Sequence, residues 1–153
     1  MGIEEIKAMA RRYIDAINTD DFEELGRLLS PDFDDHVNVP GIPAGLEGAK
    51  AAHLMLREAF PDIKFTLEDV MAEGDKVVLR ATGGGTHKGS FFGIPASGKK
   101  VSWTGIRIMR AAGGRFVEGI NEFDQVGILQ QIGVIPAFGP PPAPAGAPSQ
   151  AAK

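Results

Sequence analysis

From Lys99 to Asp124 the chain reads KKVSWTGIRIMRAAGGRFVEGINEFD, and any fold for it must accommodate the long hairpin this stretch specifies. One strand is expected from about Lys100 to Arg110 and a second from Arg115 to Asp124. Between them Ala111-Ala112-Gly113-Gly114 form the turn, where glycine supplies the positive φ that tight hairpins need. Strand residues two apart share a face, so Phe116, Glu118, Ile120, Glu122 and Asp124 are expected in one row. Three carboxylates beside Phe and Ile allow two readings. Either the row lines a cavity, where one carboxylate acts as a general base, or it is a solvated edge.

Composition narrows the class. A length of 153 residues with 43% hydrophobic side chains suits one soluble globular domain with a proper core. A net charge of −4 without a dense Lys/Arg cluster argues against a nucleic-acid surface. The absence of cysteine excludes disulfides, thiolate nucleophiles and thiolate metal sites, and fits a cytoplasmic setting. The N-terminal MGIEEIKAMARR lacks the apolar core of a signal peptide, and no apolar run approaches a membrane span.

Along the chain, Ile3, Ile6, Met9, Ala10, Tyr13, Ile14 and Ile17 recur at helical spacing over residues 3–17. Asp20 followed by Glu23 has the spacing of an N-cap and its partner. The helix it would start carries Phe22, Leu25, Leu28 and Leu29, and Ser30-Pro31 ends it. DFDDHVNV, residues 32–39, is a short extended piece with Phe33, Asp35 and Val37 on one face and Asp34, His36 and Asn38 on the other. A third helix is expected from about Glu47 to Phe60 with Ala52, Met55, Leu56 and Ala59 as its stripe; His53 beside it reads as a surface or helix-edge histidine without chemical role. Ile63, Phe65 and Leu67 alternate with polar residues as in a half-buried strand, Glu73-Gly74-Asp75-Lys76 turns, and Val77–Thr82 returns. Gly83-Gly84-Gly85 suggest a bend or bulge in a curved sheet; without a following Lys-Ser/Thr they are not a phosphate loop. Residues 86–99 form an apolar loop, Val126–Ile132 a short last helix, and residues 139–153 a Pro/Ala-rich tail expected to be disordered, leaving one domain over residues 1–138.

Three N-terminal helices followed by a meander of about four antiparallel strands, one short extra strand and a final helix make an α+β fold, with helices on one face of a strongly curved sheet. The hollow under the helices is a natural small-molecule pocket. The segments FPD, EGDKV, GTHKGSFFGIPASGK, and the closing pattern of Glu, Asp and ILQQIG resemble the SnoaL-like polyketide cyclase family of the nuclear-transport-factor-2-like cone fold, over residues 5–134.

That resemblance implies a cofactor-free enzyme that closes a carbocycle by intramolecular aldol condensation of a small apolar carbonyl substrate. It places the acid/base at Asp124, whose alternative role is to cap the last helix. Glu122 is the reserve carboxylate, and His87, Arg80, Trp103 and Asn38 are candidates to donate to the developing oxyanion. His87 either enters the pocket or fixes the apolar loop; His36 is expected at the cavity mouth; Arg80 is a pocket donor or pairs with Glu118; Trp103 is pocket wall or core. No His-x-x-x-His spacing occurs, so no metal site is expected. Where many relatives carry an aromatic residue this chain has Ile120. The alternatives are another proton-transfer enzyme (isomerase, dehydratase or epoxide hydrolase) or a non-catalytic small-molecule-binding dimerisation module. A homodimer is expected through Val101, Ile106, Ile108 and the Phe91-Phe92 loop.

Overall fold

The computed structural model describes residues 1–36 and 39–139. Its elements follow in the order α1 (Ile3–Thr19), α2 (Phe22–Leu28), β1 (Leu29–Asp35), α3 (Gly45–Ala59), β2 (Lys64–Glu73), β3 (Lys76–Thr86), β4 (Lys100–Ala112), β5 (Arg115–Phe123) and α4 (Gln125–Gln131). The sheet runs β1-β5-β4-β3-β2, with β1 parallel to β5 and every other pair antiparallel. This is the expected α+β layout, a curved sheet closed on one side by helices. Among the described residues no helix is long and apolar enough to cross a membrane.

The apolar spacing of α1 puts Ile6, Met9, Ala10, Ile14 and Ile17 against Leu79, Met109 and Phe116 of the sheet. A second core gathers Phe60, Ile63, Phe91, Val101, Trp103, Ile128 and Ile132 at the other end. Gly113 and Gly114 both have positive φ, as a two-residue primed hairpin turn requires.

Three local expectations are corrected. The cap of α2 is Asp21, whose side chain accepts from the Glu24 N–H; Asp20 instead ends α1 in the left-handed region at φ 53°. The glycines of β3 pair with β4 in unbroken register, so they are not a bulge. Gly83 is bare because Trp103 lies on it: a Cβ there would meet the indole at 2.7 Å.

The third correction matters most. Ala111 pairs with Phe116, but Arg110 pairs with Glu118, so Val117 is an extra residue in β5. Such a bulge resets the two-residue alternation. Phe116 points inward, and beyond the bulge the inward residues are Gly119, Asn121 and Phe123, opposite Arg107 and Gly105 of β4. Glu118, Ile120 and Glu122 therefore lie on the outer face, and the expected row with Phe116 does not exist.

Candidate active site

Between the two cores the sheet and helices enclose a cavity of about 370 Å³. Most of its wall is apolar: Ile14, Ile17, Leu25, Leu79, Phe65, Trp103 and Phe123, with Phe91, Phe92 and Gly93 from the loop after β3. The polar groups in the wall include Tyr13, Asp35, His53, Arg107 and Asn121. A mostly apolar hollow with a few convergent polar groups is the usual form of a small-molecule site.

Arg107 and Asp35 are the charged pair of this hollow. Asp35 ends β1 opposite Gly119, and Arg107 projects from β4 on the far side of β5. The side chain reaches across because residue 119 has none; a Cβ there would meet Arg107 Nη2 at 2.8 Å and the Phe33 ring at 2.7 Å. Arg107 Nη2 donates to Asp35 Oδ2 at 2.9 Å, with side-chain exposures of 14% and 21%. Its guanidinium also sits over the Tyr13 and Phe33 rings, at 5.5 and 5.8 Å from their centroids. Burial opposes the Arg107 charge, but Tyr13 (once ionised) and Asp35 outweigh it and hold the group above its ordinary value. Among the described residues Asp35 Oδ1 and Arg107 Nε are buried without a hydrogen-bond partner. Those two atoms are closed off by packing, and the ion pair meets the hollow through its other atoms.

His53 also departs from the sequence reading. It is 7% exposed, stands in the cavity wall, and its Nε2 lies 2.7 Å from Asp20 Oδ1. Arg57 binds the same carboxylate, with Nη2 at 3.1 Å, and donates to the carbonyls of Ile17, Asn18, Pro61 and Ile63. Partial burial works against the charge of Asp20, but the His53 hydrogen bond and Arg57 hold its carboxyl below the usual range.

The other expected site residues lie elsewhere. Asp124 is exposed and caps α4, accepting from the Gly127 N–H at 2.8 Å; it does not line the cavity. Its expected inward direction fails because it follows the outward-facing part of β5 and is taken up by the helix end. Glu122 is exposed on the outer face. Arg80 is also on that face and donates to Asp69 at 2.6 Å, neither lining the cavity nor pairing with Glu118. His87 is fully buried, but outside the cavity wall: its Nδ1 accepts from the Ser97 N–H at 3.1 Å and meets Ser97 Oγ at 2.9 Å, fixing the loop. Trp103 is cavity wall, packed on Phe60 at 5.2 Å between centroids. Asn38 lies outside the described residues.

His36 stands on the outer face, 3.0 Å from Glu118 Oε1 and 3.4 Å from Asp34 Oδ2. Oxygens and nitrogen of these three residues all lie within 4.8 Å of one another. Arg110 donates to the remaining Glu118 oxygen at 2.9 Å, and with His36 it holds Glu118 below the ordinary carboxylate range. A cation placed there would face a guanidinium, so the arrangement reads as a surface ion network rather than a metal centre.

A family model described as SnoaL-like polyketide cyclase matches residues 7–132. Among solved structures, TsrD from Streptomyces laurentii is 30% identical with a TM-score of 0.81, covering 88% of this chain and 99% of its own. IdmH from Streptomyces antibioticus is 30% identical with a TM-score of 0.74, covering 84% of this chain and 98% of its own. AclR from Streptomyces galilaeus, whose name calls it a hydroxylase, is 28% identical with a TM-score of 0.77, covering 90% and 87%. None of the curated proteins matches the chain.

Proposed function

The chain belongs to the SnoaL-like polyketide cyclase family, and from that premise we propose that it closes a ring by aldol-type acid/base chemistry on a small, largely apolar carbonyl compound. The observation that carries this reading is the Asp35–Arg107 pair in the apolar hollow. An enolisable unit has a C–H next to a C=O, so its catalyst needs a base and an oxygen-side donor close together. The Asp35 carboxylate is the base and the Arg107 guanidinium the donor; both stand in the cavity wall and are already bonded to each other at 2.9 Å. Proton transfer to a positioned carboxylate contributes about 10²–10⁴-fold, and a pre-aimed donor at the developing oxyanion a further ~10²–10³-fold. The role expected of Asp124 passes to Asp35.

No natural substrate is needed for a first test. In D₂O the wild-type protein is expected to exchange the α-protons of β-tetralone, followed by NMR. Asp35→Asn should lower that exchange at least about 100-fold. Asp124→Ala should leave it unchanged while lowering stability by about 1 kcal/mol, the usual cost of an N-cap. Exchange no faster than buffer, or retained in Asp35→Asn, defeats the reading.

The pairing surface we propose for a homodimer is the outer sheet face. Met71, Val78, Ile108 and Ile120 stand in register across four strands there, with Ile106 in the next row. Met71, Ile106, Ile108 and Ile120 are 58%, 49%, 37% and 40% exposed. Val101 and Phe91, expected in this surface, are instead buried in the core. Ile108→Lys is expected to convert a dimer to a monomer in light scattering; a monomeric wild type contradicts the proposal.

A further inference from the structure

The ring closure proposed above needs a second proton transfer, and Asp35 and Arg107 serve only the first. Once the enolate carbon attacks the second carbonyl, that carbonyl's oxygen becomes an alkoxide and must be protonated. Besides Tyr13 and Glu58, the wall holds an imidazole, His53 on α3, among the described residues.

His53 has the features of an oriented proton carrier. Its Nε2 is bonded at 2.7 Å to the Asp20 carboxylate, which fixes the tautomer with a proton on Nε2 and leaves Nδ1 for exchange. Asp20 cannot turn away easily, because Arg57 grips it while also donating to backbone carbonyls at the ends of α1 and before β2. The carboxylate is carried on a residue with φ 53°, a conformation non-glycine residues seldom adopt. The Phe22 ring meets the imidazole edge-on at 6.0 Å between centroids and closes its other side. Charged groups near His53 are Asp20 and, through it, Arg57; Glu58 stands further along α3, and Asp35 and Arg107 belong to the sheet wall of the same cavity. A histidine satisfied only for packing would not need a carboxylate clamped in this way.

We propose that His53, presented by Asp20, exchanges the proton of the carbinol oxygen formed at ring closure; this rests on the aldol reading of Asp35 and Arg107. In the forward direction, with His53 entering as the imidazolium, Asp35 takes the α-proton, the enolate carbon bonds to the second carbonyl carbon, and His53 Nδ1–H protonates its oxygen; Asp35 then loses its proton to solvent and His53 takes one back. In the reverse direction His53 takes the hydroxyl proton and the C–C bond breaks. The electron pair passes to the enolate facing Arg107, and Asp35 returns a proton to carbon. No atom is gained or lost and no co-reactant is required. Asp20 is a positioning residue, acting through the imidazole.

The reverse step gives the test. A naphthyl β-hydroxybutanone releases acetone and a fluorescent naphthaldehyde on retro-aldol cleavage, while β-tetralone exchange reports Asp35 and Arg107 alone. His53→Gln is expected to lower cleavage at least about 100-fold, and at least about tenfold more than it lowers β-tetralone exchange. Asp20→Asn should lower kcat for cleavage about tenfold at unchanged KM. Cleavage at the wild-type rate in His53→Gln overturns the assignment. So does joint loss of cleavage and exchange in a variant that still unfolds cooperatively, or a wild type that exchanges β-tetralone without cleaving the hydroxyketone. If His53→Gln does not fold, Asp20→Asn decides, and an unchanged kcat overturns the proposal. A wild type that fails to exchange β-tetralone defeats the enolate reading first, and this inference with it.

Discussion

Arg107→Met is expected to lower the unfolding free energy by about 3–5 kcal/mol, because it strands the Asp35 carboxylate in an apolar hollow without its cation. For a chain of this size that lowers the melting midpoint by roughly 10 °C. The guanidinium also packs between the Tyr13 and Phe33 rings, and the thioether replaces only part of that contact. The double variant Asp35→Leu/Arg107→Met should recover most of the loss, since an apolar pair of similar volume suits this wall. It should nevertheless be unable to exchange β-tetralone. Chemical unfolding of the three proteins checks the first claim. A single variant as stable as wild type would mean that Asp35 relaxes into water.

The second large effect is expected at His87. It is fully buried against Phe60 and Phe91, with ring centroids 5.6 and 6.5 Å away, and it accepts the Ser97 N–H. Its own backbone also bonds to Lys99 and Gly98, so it closes the loop that carries Phe91–Gly93 to the cavity mouth. His87→Ala removes the ring and leaves the Ser97 N–H unpaired, which together should cost about 3–5 kcal/mol. His87→Asn can place an oxygen where Nδ1 stood and should recover about 1–2 kcal/mol of that, the value of the restored hydrogen bond. Equal stabilities for Ala and Asn, measured by thermal unfolding, would show that the Ser97 contact contributes nothing.

The architecture was legible because most strands announce it by alternation. Ile63, Phe65 and Leu67 mark the start of β2, and the Gly113-Gly114 turn marks the hairpin. The site was harder to read because in β4 the polarity of the two faces is inverted. Ile106 and Ile108 face outward, while Arg107 faces inward to meet Asp35. Hydrophobicity points the wrong way there, and only the phase set by Trp103 and Met109, both buried, gives the right one. In β5 no propensity reveals that Val117 is an extra residue, so counting by twos from Phe116 sends Glu122 and Asp124 inward. Asp35 carried a usable signal, since it shares a face with the buried Phe33. His53 carried less, because its partner Asp20 is thirty-three residues away and held by the end of another helix.

The chemistry assigned to this chain depends on where a carbonyl oxygen docks. β-Naphthol, a stable enol of suitable size, can be bound to the protein and its position determined crystallographically. The expected result is an oxygen within hydrogen-bonding distance of the Arg107 guanidinium and the adjacent ring carbon facing the Asp35 carboxylate. A naphthol seated in the hollow with its oxygen turned away from Arg107, or bound on the outer sheet face beside Glu122 and Asp124, would contradict it.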